Sequence, residues 1–334
     1  MTSGVSKKAV TVAVDAMGGD YAPQEIVKGA IEGAKKEGIQ VILVGQEDTI
    51  QKEVMRYDVS GLSIRVRNAS EVIQEGESPV AALRQKPDAS IAVATQLVKT
   101  HEADAVMSMG NTGAVMVSAI EILGKLEGIK SPSAGGLLSG FAPNTVVFDL
   151  GPTTDCKPHD LLSLAVMGCV VARKILGISN PTVALLSNGS EEGKGNLVVK
   201  KAYQVFKESN LNFIGNVEGN DIPAGKANVV VCDGFTGNIL IKFCEGLGDS
   251  IIERLKVTFG KHVPNAEFDA VSNDLFALTH VAEKGGPIYG VDGVVIIGHG
   301  RSKAPQVADA IHLAKTVVAS NLVEELKTEL GNLQ

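Results

Sequence analysis

The chain has no tryptophan, few aromatic residues and no surplus of positive charge. With 31 Lys and Arg against 38 Asp and Glu, the net charge of −7 argues against nucleic acid as a partner, because neutralising phosphates requires clustered cations. The four cysteines, Cys156, Cys169, Cys232 and Cys244, form no C-x-x-C pair and sit in or beside apolar stretches. They read as reduced, mostly buried thiols of a cytoplasmic protein and not as a disulfide framework or a zinc site. No apolar run approaches the roughly 20 residues that span a bilayer. The longest, Leu161–Ala172, reads as a buried helix face. Lys7 and Lys8 precede an apolar run, but Ala9–Val14 is too short for a signal peptide and Asp15 ends it. That run is a first strand, and residues 1–8 are expected to be a disordered tail.

Two nucleotide signatures are also missing. A P-loop needs Gly-Lys followed by Ser or Thr, and Gly193-Lys194-Gly195-Asn196 lacks the hydroxyl. After the first strand, Met17-Gly18-Gly19-Asp20 places an acid where a dinucleotide's pyrophosphate would approach, so the usual nicotinamide fingerprint is absent. No metal ligand set is apparent and no cofactor is expected.

What is present is a regular alternation of strand-like and helical segments. Runs such as Val229-Val230-Val231 and Val294-Val295-Ile296-Ile297 are apolar at consecutive positions, as in parallel strands covered on both faces. Proline at Pro23, Pro79, Pro158 and Pro305 is expected at the first helical position after a loop, where its missing N–H is not needed. The expected fold is a three-layer α/β/α arrangement with a largely parallel sheet. One catalytic domain over residues 9–330 is expected, with lobes of about 9–115 plus 285–330 and 116–284 around a cleft.

The strand ends carry the chemistry. Several turns set glycine beside a hydrogen-bonding side chain at a helix N-terminus, where free N–H groups favour anions. For any one loop, Gly-Asn or Asp-Gly is equally a simple turn former; several at strand ends together point to an anionic substrate. Lys194, between two glycines and before a helix, is suited to hold phosphate or an oxyanion, or else is a solvated surface group. Cys156 with His159 nearby has the composition of a nucleophile and base, but sequence neighbours rarely pair that way and a buried thiol is the simpler reading. His299, between Gly298 and Gly300, suits a general acid or a phosphate donor, or a structural histidine.

Six motifs together closely resemble the bacterial phosphate acyltransferase (PlsX) family across almost the whole chain. They are Val14-Asp15-Ala16-Met17-Gly18-Gly19-Asp20, Ser108-Met109-Gly110-Asn111-Thr112-Gly113-Ala114, Asp155-Cys156-Lys157-Pro158, Gly193-Lys194-Gly195-Asn196, Gly215-Asn216-Val217-Glu218 and Asp233-Gly234-Phe235-Thr236-Gly237-Asn238. The resemblance implies an enzyme that moves a long-chain fatty acyl group from acyl carrier protein to inorganic phosphate. The acyl phosphate then serves a downstream glycerol-3-phosphate acyltransferase in phospholipid synthesis. It also implies a homodimer and a fold akin to isocitrate and isopropylmalate dehydrogenases and to phosphotransacetylase.

On that resemblance Lys194 and Asn238 are expected to bind phosphate or the oxyanion, with Asp233 orienting one of them. Gly18, Gly19, Asn111, Thr112, Gly113, Asn196, His299, Arg301 and Ser302 are candidates for the remaining phosphate or phosphopantetheine contacts. Asp15 and Asp20, as anions, would instead fix the Gly18-Gly19 turn or orient Lys194. Arg84, Lys86, Lys99 and Arg173 are candidates for a patch facing the acidic carrier protein. Two loops depart from the family pattern. Gly151-Pro152-Thr153 stands where Gly-Ala-Asn is usual, and Gly298-His299-Gly300-Arg301-Ser302 brings an arginine into a loop that usually reads Ser-His-Gly-Ser-Ser. Family members are similar to peripheral membrane proteins with a helical hairpin after the Asp-Gly-Phe-Thr-Gly-Asn motif. Ile251, Ile252, Leu255 and Phe259 form an apolar stripe there that suits a membrane or a dimer interface equally, while Asp249, Glu253, Glu267, Asp269 and Asp274 dilute any basic character. The alternatives are a phosphotransacylase for short acyl-CoA and a non-catalytic scaffold of lipid synthesis.

Overall fold

The first strand forms over Thr11–Asp15 (β1), and all five of its residues are buried, as a strand covered on both faces requires. The structure, a computed structural model, describes residues 9–137, 142–151, 153–259, 263–280 and 285–333. The tail expected at residues 1–8 and Pro152 lie outside them.

From β1 the chain runs through α1 (Gln24–Glu37), β2 (Gln40–Gly45), α2 (Glu47–Val54), β3 (Ile64–Asn68), α3 (Pro79–Gln85), α4 (Ser90–Lys99), β4 (Ala105–Ser108) and α5 (Thr112–Ser118). It continues through β5 (Ser133–Ala134), β6 (Gly136–Leu137), β7 (Val146–Phe148), α6 (Pro158–Lys174), β8 (Val183–Leu186), α7 (Leu197–Glu208), β9 (Phe213–Val217) and β10 (Val229–Val231). Then come α8 (Gly234–Phe259), α9 (Asn265–Thr279), β11 (Gly286–Tyr289), β12 (Val294–Ile297), α10 (Ala304–Ala319) and α11 (Leu322–Gly331). Pro79 and Pro158 open their helices as expected, whereas Pro23 caps α1 from one residue outside and Pro305 is the second residue of α10.

The described residues divide into two compact units, one of residues 9–124 and 285–323 and one of residues 125–280 and 324–333. In the first, the strand order is β3-β2-β1-β4-β12-β11, parallel except for β11. Helices α4 and α5 cover one side, where Ala94, Leu97 and Val115, with Ala119 just past α5, join Ala13, Ile42 and Val106 in one apolar cluster. Helices α1 and α10 pack against each other closely because Gly29 lies on Ala304 and Val307, and Gly33 lies on Ile311.

In the second unit, β7, β10, β8 and β9 are parallel neighbours in that order and β6 runs antiparallel beside β7. Helix α6 packs on β7 and β10, with Gly168 against Val229 and Phe148. The apolar run Leu161–Ala172 is indeed its buried face, with ten buried residues between Leu161 and Ala172. On the cluster that includes Val147, Ala184 and Val230 sits Ile241 of α8. Beyond Ile241, that helix has a single further buried residue, Gly248, which packs against Thr279 of α9. The expected α/β architecture with mostly parallel strands is what the chain builds.

Candidate functional site

Each unit carries one polar cluster at the carboxyl ends of its parallel strands, the edge where open α/β sheets bind ligands. In the first unit the loops come from three adjacent strands, β1, β4 and β12.

Asp15 ends β1 and is 3% exposed. Its Oδ2 accepts from Ser108 Oγ at 2.7 Å, its Oδ1 accepts from Met17 N at 3.3 Å, and Ser108 Oγ accepts from Gly110 N at 3.0 Å. Burial pushes the Asp15 carboxyl above its ordinary value, and the hydrogen bonds pull against that shift. This network holds two glycine turns together. A Cβ on Gly18 would lie 2.5 Å from Asp15 Oδ2 and 2.9 Å from Gly110 N. Gly19 has φ +110° and faces Gly300, whose carbonyl accepts from Asp20 N at 2.8 Å. Gly18, Gly19, Asp20 and the loop 298–302 are thus brought together, while the Asp20 side chain is exposed.

Asn111 caps α5 by accepting from Ala114 N at 3.0 Å, which uses its side-chain oxygen locally. Thr112 is exposed, and Gly113 packs on Pro79 of α3, which would be 2.6 Å from its Cβ. In the last loop His299 Nδ1 accepts from Arg301 N at 3.4 Å, and Ser302 Oγ is buried without a hydrogen-bond partner among the described residues. The end of α10 is already served, with Ala304 N donating to Glu25 Oε2 at 2.8 Å and Lys303 N to Gln306 Oε1 at 3.1 Å.

In the second unit the loops follow β7, β10, β8 and β9. Lys194 sits in the loop after β8, its stem folded over Gly189, where a Cβ would be 2.8 Å from Lys194 Cγ. The Lys194 ammonium makes no ion pair among the described residues; of the two flanking carboxylates, Glu192 is engaged by Gln204 at 2.8 Å and Lys207 at 3.5 Å, and Glu191 Oε2 lies beside the Lys194 stem over Gly189. Gly195 has φ +96° and donates to Asn188 Oδ1 at 2.8 Å, and Asn196 caps α7 by accepting from Val199 N at 2.9 Å.

The loop after β10 opens α8. Asp233 Oδ1 accepts from Thr236 N at 2.8 Å, which caps the first turn of α8. The exposed Asn238 lies against Gly151, its Oδ1 3.9 Å from where a Cβ of that glycine would be.

Sequence reasoning missed the group beneath this turn, Asp149. It is fully buried and accepts from Gly151 N and Thr153 N, each at 2.9 Å. Its backbone carbonyl occupies the space a Cβ on Gly237 would need. Burial raises the Asp149 carboxyl as it does Asp15. An acid closing an apolar run and followed by glycine two or three residues on is the signal that marks both.

Burial and the charges of Asp149, Asp160 and Asp233 push the Cys156 thiol up to about 12, which disfavours the thiolate that a nucleophile needs at neutral pH. Of the cations considered for a carrier-protein patch, Lys86 pairs with Glu77 at 2.7 Å and Arg173 with Glu329 at 2.9 Å. Lys99 donates to Leu123 O at 3.0 Å, leaving Arg84 exposed with no ion pair among the described residues. Among the described residues no group of three or more His, Cys, Asp or Glu is arranged to hold a metal, and no helix is long and apolar enough to cross a membrane.

Comparison with known proteins decides the family. Residues 10–325 match the model of a family described as fatty acid synthesis protein. The phosphate acyltransferase of Pelotomaculum thermopropionicum is 41% identical over 97% of this chain and 96% of its own length. That of Dictyoglomus turgidum is 42% identical over 96% of this chain and 98% of its own. The chain belongs to this family. It is accordingly an enzyme of the acyltransferase class. The family's fold is shared with a phosphotransacetylase from Streptococcus pyogenes, at TM-score 0.62 and 17% identity over 95% of this chain and 94% of that one. It is also shared with a 4-hydroxythreonine-4-phosphate dehydrogenase from Klebsiella pneumoniae, at TM-score 0.52 and 16% identity over 95% and 99%.

Proposed function

We propose that this enzyme transfers a long-chain fatty acyl group from acyl carrier protein to inorganic phosphate, giving acyl phosphate and free carrier protein for phospholipid synthesis. Membership of a family whose relatives are named phosphate acyltransferase carries the reading. A lysine without an ion pair, beside a helix N-terminus at the carboxyl edge of parallel strands, supports phosphate as the acceptor.

In the proposed reaction a phosphate oxygen forms the new bond to the thioester carbonyl carbon, the carbon–sulfur bond breaks, and the thiolate leaves with the electron pair. A thiolate leaves readily, so the protein has to hold two reactants together and stabilise the oxyanion, with no protein nucleophile required. Lys194 and Asn238 hold phosphate or the oxyanion, and Asp233 keeps Asn238 in place. Gly18, Gly19, Asn111, Thr112, Asn196 and the loop His299–Ser302 supply further contacts to phosphate or to the carrier's arm, and Asp15 fixes the glycine turn.

The enzyme acts in the cytoplasm as a homodimer. Its subunits meet along α8, whose exposed Phe235, Ile239, Phe243, Leu247 and Ile251 repeat every four residues on one face. The test is acyl-phosphate formation from inorganic phosphate with palmitoyl-carrier protein, palmitoyl-CoA and acetyl-CoA in parallel. Turnover with the carrier-protein donor supports the reading, and turnover with acetyl-CoA alone replaces it by a short-chain phosphotransacylase. Flotation with anionic liposomes decides whether the α8 face meets lipid instead of a second subunit.

A further inference from the structure

We propose that Asn216 is a positioning residue for Lys194, holding the phosphate-binding loop from the neighbouring strand. The inference rests on the reading of Lys194 as a phosphate or oxyanion ligand.

Asn216 lies in β9, which pairs with β8 through a register irregularity: Phe213 faces Val183, yet Asn216 faces Leu185. The extra residue in β9 sits beside Gly215, whose φ is +97°. A bulge of this kind re-aims the side chains that follow it. Ile214 is consequently exposed while Asn216 is only 4% exposed, a polar side chain turned inward under the loop after β8.

There its Nδ2 donates to the Glu191 carbonyl at 2.9 Å. The same carbonyl accepts from Lys194 N at 3.0 Å, closing the four-residue turn Glu191–Lys194. Asn216 therefore grips the turn at the atom that also fixes the Lys194 backbone. The other amide side chains of this loop, Asn188 and Asn196, bond within the loop or to the helix it opens. Asn216 ties it across 25 residues to another strand.

The arrangement is not the cheapest way to bury this position. With Nδ2 committed to a carbonyl, the amide oxygen is fixed facing inward, and Asn216 Oδ1 has no hydrogen-bond partner among the described residues. The hydroxyl of Ser187, the residue that follows β8, is buried without one as well. An unpaired buried polar group disfavours folding. Two such groups flank the loop that carries Lys194, where placement of one side chain matters more than stability.

A double-mutant cycle tests the proposal, with phosphate varied at saturating palmitoyl-carrier protein. Asn216→Ala is expected to lower kcat/KM for phosphate by about tenfold to a hundredfold, the effect of misplacing a ligand-binding group by about 1 Å. The KM for the acyl donor should stay within about twofold. In a Lys194→Ala background, the same substitution should remove less than about a further twofold, since there is no lysine left to position. Asn216→Asp keeps the volume but sets an acceptor against the Glu191 carbonyl; it should lose at least as much, and it serves if the alanine variant does not fold. Equal losses in both backgrounds, or a wild-type kcat/KM for both Asn216 variants, would overturn the role of Asn216 while leaving Lys194 in place. A Lys194→Ala enzyme with unchanged turnover would overturn both, and would do so in the single variant.

Discussion

Ser108 Oγ donates to Asp15 Oδ2 at 2.7 Å between residues that are direct partners on the parallel strands β1 and β4. The serine also accepts from Gly110 N, so one hydroxyl links a buried carboxylate to the following turn. Ser108→Ala removes one of the hydrogen bonds on the buried Asp15 carboxyl, those from Ser90 and Gly18 remaining, and takes the acceptor from Gly110 N, so it should destabilise the protein by about 1–3 kcal/mol. Urea unfolding reads this directly, and a change under about 0.5 kcal/mol would show that the pair carries no weight.

The pH dependence of stability follows from the same carboxylate. Burial raises the folded-state pKa of Asp15 above its ordinary value of 3.8. The folded form then binds the proton more tightly than the unfolded form, so stability falls as pH rises from the ordinary value through the raised one. Asp15→Asn does not titrate, so wild type should lose unfolding free energy relative to this variant across that window. A difference that grows in favour of wild type with rising pH would mean that hydrogen bonding outweighs burial at Asp15.

Two glycines of α8 should respond in opposite directions to the same substitution. Gly237→Ala drives a methyl into the Asp149 carbonyl, a rigid backbone atom, and should destabilise by about 1–3 kcal/mol or more with loss of activity. Gly246 is exposed and nothing lies within 4 Å of its Cβ position. Gly246→Ala should therefore stabilise by about 0.5–1 kcal/mol through helix propensity. Thermal unfolding of both variants checks the pair, and a shift of the same sign would contradict this packing.

The alternation of strands and helices was legible in the sequence because parallel strands covered on both faces are apolar at consecutive positions, as in β10 and in Val12, Ala13 and Val14 of β1. Loops at strand ends were legible for the same reason. Their internal logic was not. Gly113 and Gly18 look alike in the sequence, yet one makes room for Pro79 and the other for a carboxylate. Asp149 closes an apolar run as Asp15 does, but the close approach of Gly237 to its backbone carbonyl is not visible in the sequence. The apolar stripe of α8 was read from Ile251 onward, but the exposed face begins at Phe235, inside the turn that carries Asn238. Such facts depend on which segments meet, and a periodicity along one segment does not contain them.

Cys156 should be dispensable for chemistry. With its thiol pushed up to about 12, almost none is thiolate at neutral pH. Cys156→Ala is expected to keep kcat within about threefold, and iodoacetamide should label this residue slowly in the folded protein. A hundredfold loss in Cys156→Ala with an unchanged unfolding midpoint would make it a nucleophile after all.

Direct transfer to phosphate is the central claim, and release of the carrier-protein thiol on mixing enzyme with palmitoyl-carrier protein tests it most directly. Without phosphate, no burst of thiol should appear; with phosphate, thiol and acyl phosphate should form in equal amounts. Lys194→Ala should slow that release by about a hundredfold to a thousandfold, the usual effect of removing one oxyanion or phosphate donor. A burst of one thiol per chain in the absence of phosphate would reveal an acyl-enzyme and contradict direct transfer.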